Sequence, residues 1–256
     1  MSSTISTPDE LSSNSHYASG VCWRVVEGQH IISTAKLVSN SAEHDILEAE
    51  IEAVKPLVPP ECGHLDYLLF SPFRYRAPSQ FGSRFKPAGL SAGVFYGAVA
   101  PSTAIAEMTF LRLLMFYGES PETPWPRNAG EYTAFSAEYA TRACVDLQRP
   151  PFDGRRSRWS HPTDYTACQT LAALAREAGI HVIKYCSVRD PQQRTNLAIL
   201  SCLAFSRPEP LARQSWKILL TPNGVRCFCE MPRETIEFDR ATFAADPRIA
   251  SMRWDR

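Results

Sequence analysis

No apolar run in this 256-residue chain approaches the ~20 residues of a membrane-spanning helix, which excludes a helical membrane anchor. Neither sign of charge is in excess. Lys+Arg and Asp+Glu are both 27, so no global basic field exists to hold nucleic acid through its phosphates, and direct nucleic-acid binding is not expected. The first twenty residues are rich in Ser and Thr and lack a basic start followed by an apolar stretch, so they do not form a secretory signal; Met1 to Gly20 reads as a disordered tail. No internal repeat is visible, and no low-complexity linker divides the chain after Gly20.

Paired metal-ligand spacings are also missing. Of the eight cysteines, only Cys227 and Cys229 lie close together, in a strand-like run whose alternation sends both sulfurs to one face. Structural zinc calls for CxxC or Cys/His pairs, so no metal is expected. Most of the cysteines read as small buried apolar groups in a reducing cytoplasm.

What is present is an ordinary globular composition, 44% apolar and 21% charged, long enough for a large core. Organisation follows from periodicity and punctuation. A strand is expected from Cys22 to Val26. A helix follows in SAEHDILEAEIEAV, where Asn40 and Glu43 have capping-box spacing and Ile46, Leu47, Ile51 and Val54 make one apolar stripe. Val94 to Ala98 reads as a short strand, and Ser102 as the N-cap of a helix through AIAEMTFLRLLMFY to Gly118. YTAFSAEY and ACVDL read as two strands, PPFDGRRSRWSHP as a loop, and DYTACQTLAALAREAG as a helix closed by Gly179. The runs HVIKYC, LAILSCLAF, WKILL, VRCFCEM and IEFD read as further strands. Helices among many strands, without regular βαβ alternation, predict an α+β fold with a mostly antiparallel sheet and flanking helices. The expected organisation is a single domain over 21–256, with 21–66 an N-terminal extension on a core spanning 67–240.

Two loci carry chemistry. From Ser71 to Glu107, the cations Arg74, Arg76, Arg84 and Lys86 interleave with aromatic residues and with glycines at 82, 89, 93 and 97, and the run ends on a carboxylate within a helix. Forked guanidinium groups suit phosphate, and the segment reads first as an anion site. The second locus is YCSVRDP, where Ser187 follows a strand beside Arg189 and Asp190. Taken singly, each residue has a plain alternative: Arg84 as a surface arginine, Tyr96 as core packing, Glu107 as a solvated helix residue and Ser187 as part of a turn.

Together, GSRF, FYGA, TAIAE and YCSVRDP resemble the RES domain, named for its Arg, Glu and Ser. The resemblance extends from Val21 to Asp239, through WRVVEGQHIISTAKLV and PPECGHLDYLLFSPFRYR, a lead-in typical of the longer branch of that family. It departs from many relatives in having Phe85-Lys86 where they have Trp-Asn, and in a longer turn from Gly89 to Gly93. The resemblance implies an ADP-ribosyltransferase-like fold and the toxin of a bacterial toxin–antitoxin pair that binds NAD and breaks the nicotinamide–ribose bond. It places the catalytic residues at Arg84, Glu107 and Ser187, and puts Tyr96 at the nicotinamide ring or its ribose.

Arg84 would clamp the pyrophosphate, with Arg76 and Arg189 as further anion ligands, and Glu107 would stabilise the oxocarbenium-like state. Ser187 would hydrogen-bond the ribose or carboxamide; no His stands at a recognisable partner motif to activate it as a nucleophile. Without a GxGxxG motif, NAD would be consumed as substrate instead of serving as a hydride-carrying cofactor. Its ADP-ribose would go to water, to phosphate or to a protein acceptor. The implied partner is a separate helix-turn-helix (Xre-type) antitoxin, and a homodimer is compatible with the sequence. A non-catalytic module that has kept the RES fold for partner binding is the alternative.

Overall fold

The computed structural model describes residues 7–28, 34, 37–74, 82–89 and 92–255. Its organising element is a strand of 17 residues, β3 (Gly130–Asp146). The two strands expected in this region are one. β1 (His16–Glu27) pairs antiparallel along nearly all of it, from His16 opposite Cys144 to Glu27 opposite Tyr132, and this continuous ladder holds β3 extended where the sequence suggests a break.

The other edge of β3 is shared between two partners. Its first half pairs antiparallel with β6 (Ala212–Thr221), which continues into β7 (Gly224–Cys229) and β8 (Glu234–Asp239). Its last residues pair in parallel with β4 (Val182–Cys186), which pairs in turn with β5 (Thr195–Ile199) and then β2 (Phe95–Ala98). A bridge from Trp23 to Ala98 brings β2 back to β1, so β3, β1, β2, β5 and β4 close into a ring while β6 to β8 extend from it. The fold is α+β with a mostly antiparallel sheet.

Alternation assigns the two faces of this ring to different cores. Leu197 and Ile199 of β5 face Cys22, Phe95 and Phe135, whereas Ala198 lies with Phe85, Ile183 and Tyr185 under α6 (Thr166–Glu177). A third core forms where α4 (Pro101–Tyr117) crosses β6 and β7 and meets α7 (Pro247–Ala250). The start of the chain joins this architecture. The tail expected to be disordered through Gly20 contains α1 (Pro8–Ser13), which buries Leu11 in the core beneath α6, and the first five residues of β1.

Other local expectations shift for local reasons. α4 starts two residues early, with Ala100 as N-cap and Pro101 in the first turn, where its fixed φ suits the helix. The Ser102 hydroxyl instead accepts from the Arg194 guanidinium. β5 stops at Ile199, because Ser201 caps a short 3-10 turn at Cys202–Ala204. α5 (Arg156–Trp159) lies within the expected loop. α2 (Ser41–Ala53) has its capping box, with Asn40 Oδ1 accepting from Glu43 N at 2.9 Å. However, the helix buries none of its stripe: Ile46 is 64% exposed and Val54 82%. α3 (Tyr67–Arg74) packs inward through Leu69 and Phe73. No helix among the described residues is long and apolar enough to cross a membrane.

The cysteines divide. Six are buried free thiols, and burial pushes the Cys22 and Cys227 thiols up to about 12 and the Cys144 thiol to about 11, which keeps them protonated and unreactive. Cys62 and Cys202, read from the sequence as single residues, form a disulfide across 140 positions, beside the last turn of α3. Cross-linking so long a loop restricts the unfolded chain, and loss of the link is expected to cost about 2–4 kcal/mol. Thermal melts of wild type and of Cys62→Ser/Cys202→Ser check this: the double variant should melt several degrees lower, and coincident melts would show that the link contributes nothing.

Candidate functional site

The site begins with a tight turn. Gly82 has φ +63°, and a Cβ there would stand 2.8 Å from Ala88 N and from Lys86 O, so the chain can close only with glycine. Ser83 N donates to Lys86 O at 2.6 Å and Lys86 N to Ser83 O at 3.2 Å, which puts Arg84 and Phe85 at the tip. Gly93 serves packing: a Cβ there would lie 1.7 Å from the Pro72 carbonyl oxygen of α3. The glycines of this segment shape turns and close contacts without forming a phosphate loop.

Tyr96 braces the turn from β2. Its hydroxyl accepts from Phe85 N at 2.9 Å and shares a 2.8 Å hydrogen bond with Ser83 Oγ, while burial pushes the phenol up to about 12. Phe85 is buried edge-on against Tyr185, ring centroids 4.9 Å apart. Arg84 then leans toward the segment between α5 and α6. Its guanidinium donates to Trp159 O at 2.8 Å and lies 4.7 Å over the Tyr165 ring. It is therefore fixed in direction by one carbonyl and one aromatic face, with no carboxylate partner among the described residues.

Glu107 and Ser187 meet, although 80 positions separate them. Ser187 Oγ donates to Glu107 Oε1 at 2.7 Å and accepts from Arg189 N at 3.2 Å and Asp190 N at 3.0 Å. The hydroxyl donates its single proton to the carboxylate and accepts from the backbone, so in this arrangement Ser187 holds Glu107 in place. The second donor to Oε1 is a residue that the sequence reading missed, Asn196 Nδ2 at 2.6 Å. No described residue hydrogen-bonds to Oε2, which leaves that oxygen as the one that can meet a ligand.

Tyr185 is the other missed residue. It stands opposite Asn196 in the β4–β5 ladder. Burial raises its phenol well above its ordinary value, nearby Glu107 and Tyr96 add to this, and Arg84 and the Asn196 side chain draw it down. Tyr185 thus packs against Phe85 of the arginine turn on one side and pairs with Asn196 on the other. A sequence signal existed only in register: Tyr185 precedes Ser187 by two positions, but its partner Asn196 becomes evident only when the hairpin closes.

The remaining cations are placed differently from expectation. Arg189 is not presented to Glu107. It is 3% exposed, donates to Asp246 Oδ2 at 3.1 Å and to Pro162 O at 2.6 Å, and lies 3.6 Å over the Phe110 ring. Pairing with Asp246 turns it into an internal tie between the Ser187 turn and α7. Arg74 is bound to α2 through Glu52 at 2.6 Å. Arg76 lies outside the described residues. Among the described residues no group of His, Cys, Asp and Glu is arranged to hold a metal ion. A separate cavity of about 550 Å³ lies between α5 and α6, lined by Arg155, Arg158, His161 and Asp164; it shares Trp159 with the Arg84 support but does not include Glu107 or Ser187.

An α+β ring of strands that joins a helix carboxylate to a strand-end serine, and braces an arginine turn from β2, defines the class. The RES domain model matches residues 58–221, well over half of the chain, and the chain belongs to the RES domain family. None of the curated proteins matches it. Among solved structures, it is similar to the MbcT–MbcA toxin–antitoxin complex of M. tuberculosis, at 12% identity and a TM-score of 0.47, covering 92% of this chain and 93% of that one.

Proposed function

We propose that this chain is the toxin of a toxin–antitoxin pair and that it consumes NAD by cleaving the bond between nicotinamide and ribose. The observation that carries the reading is the Glu107 carboxylate, held on Oε1 by Ser187 and Asn196 with Oε2 left for a ligand. Departure of nicotinamide builds positive charge on the ribose, and a carboxylate oxygen fixed beside it is worth more in that state than in the ground state. The C1′–N bond breaks with its electron pair leaving on nicotinamide. The acceptor oxygen then bonds to C1′ and loses its proton, so NAD and acceptor become nicotinamide, ADP-ribosyl acceptor and a proton.

Arg84, aimed by Trp159 O and the Tyr165 ring, would take the pyrophosphate, and Arg76 is retained as a second anion ligand. Tyr96 would contribute through the turn that it braces, since its hydroxyl is already engaged. NAD enters as substrate, with no further cofactor. Membership of the RES family supports a separate helix-turn-helix antitoxin and a cytoplasmic site of action. The retention of Arg84, Tyr96, Glu107 and Ser187, with Glu107 fixed on Oε1 by Ser187 and Asn196, favours catalysis over a module that merely binds a partner.

The test is incubation of the purified chain with labelled NAD, alone and with cell lysate. Free ADP-ribose, ADP-ribose-phosphate and a labelled protein band identify water, phosphate and protein as acceptor, respectively. Intact NAD under every condition would overturn the reading.

A further inference from the structure

We infer that Asn196 is a positioning residue for Glu107, whose amide selects Oε2 as the carboxylate oxygen that faces the reacting ribose. The inference rests on the proposed NAD cleavage and deepens it. Its basis is the orientation of one buried amide. A carboxylate only accepts hydrogen bonds, so the Nδ2 end of Asn196 must face Glu107 Oε1, at 2.6 Å. That choice leaves Oδ1 without a hydrogen-bond partner, although the side chain is 2% exposed. An apolar residue of similar size on β5 would avoid this cost, and its neighbours on the same face, such as Ala198, are apolar.

With Ser187 donating to the same oxygen, the two bonds fix the carboxyl plane from two independent elements, the Ser187 turn and β5. Neither donor alone would do so, because a single hydrogen bond allows rotation about it. The surrounding charges are few. Tyr185 of β4 stands opposite Asn196, and the fields of Glu107, Tyr96 and Arg84 bear on its hydroxyl. On the loop side, Asp190 is tied to Thr103 Oγ1 at 2.7 Å and to Arg194 at 3.6 Å, so it is compensated locally.

The experiment exploits the identity of the donor. Asn196→Asp nearly preserves shape but sets two carboxylates in hydrogen-bond contact, and such a pair holds one proton to higher pH than either alone. Once that proton is lost both are charged, no donor remains, and kcat should fall about 10²–10³-fold with KM changed less than about threefold. On acidification the shared proton restores a donor to Glu107, so the deficit relative to wild type should narrow to about tenfold near pH 5. Asn196→Ala should lose about 10–10²-fold in kcat with no acid recovery, and Asn196→Ser should fall between Ala and wild type. Parallel pH profiles for Asn196→Asp and wild type, or an Asn196→Ala kcat within twofold of wild type, would overturn the inference.

Circular dichroism melts confirm folding, and Asn196→Ser carries the comparison if Asn196→Asp does not fold. If wild type cleaves no NAD, the proposed function falls, and the pairing is read instead from the carboxyl ¹³C titration of labelled protein. The 107/196 pair in Asn196→Asp should then show an upper apparent pKa above that of Glu107 in wild type, and an unchanged titration would overturn it.

Discussion

Glu107→Gln should lower NAD turnover by about 10²–10³-fold while leaving the fold intact. The geometry gives this substitution an unusually clean meaning. Glutamine keeps a carbonyl oxygen that can accept from Ser187 Oγ and Asn196 Nδ2, the two donors that hold Oε1 at 2.7 and 2.6 Å. The side chain therefore has one favoured orientation, in which its NH₂ replaces Oε2. A positive edge then faces the ribose where negative charge is needed, so the transition state loses stabilisation and meets mild repulsion, while the neutral-ribose ground state is less affected. The loss should appear in kcat more than in KM, and the melting temperature should move by no more than a few degrees. Steady-state nicotinamide release and a thermal melt on the same preparation check both parts. Turnover at the wild-type level would remove Glu107 from the mechanism.

Asp246→Ala should produce the largest loss of stability, about 3–5 kcal/mol, because it leaves the buried Arg189 guanidinium without its counter-charge. Asp246 is fully buried and accepts from Arg189 at 3.1 Å, from Arg248 Nε and a second Arg248 guanidinium nitrogen at 2.9 and 2.8 Å, and from Arg248 N at 3.1 Å. For a chain of this size the melting temperature should fall by roughly 6–20 °C. Arg189→Met/Asp246→Leu, which removes both buried charges, should be less damaging than Asp246→Ala alone, whereas an Asp246→Ala melt within 2 °C of wild type would refute the account.

The pair also sets a pH dependence. Burial by itself would raise the Asp246 carboxyl, but the Arg248 hydrogen bonds and the charges of Arg248 and Arg189 outweigh it and hold the group below its ordinary 3.8. A carboxyl depressed in the folded state adds stability that is present above its unfolded value and is lost as pH falls through its folded value. The difference in melting temperature between wild type and Asp246→Ala should therefore be constant near neutrality and shrink below about pH 4.

These residues also mark the boundary between what a linear reading reaches and what it does not. Arg84, Glu107 and Ser187 stand out in the sequence through short motifs that resemble the RES domain, and the spacing of those motifs is a property of the chain. Arg189 sits in the same motif as Ser187, yet its side chain is taken up by Asp246, which lies 57 positions away at the N-cap of α7. Asn196 and Tyr185 carried no local signal; the β4–β5 register places them side by side at Glu107. The Cys62–Cys202 link, separated by 140 positions, was hidden for the same reason.

Composition, periodicity and punctuation by themselves determined the α+β class and most of the helices and strands, because these depend on neighbours within a few positions, and the resemblance of short motifs to the RES domain singled out Arg84, Glu107 and Ser187. Tertiary structure alone decided that two apparent strands form β3, that α2 fully buries none of its stripe, and which oxygen of Glu107 remains for a ligand. Each of those outcomes depends on which distant group supplies a hydrogen bond, a counter-charge or an apolar face, and that is set only when the chain has closed on itself.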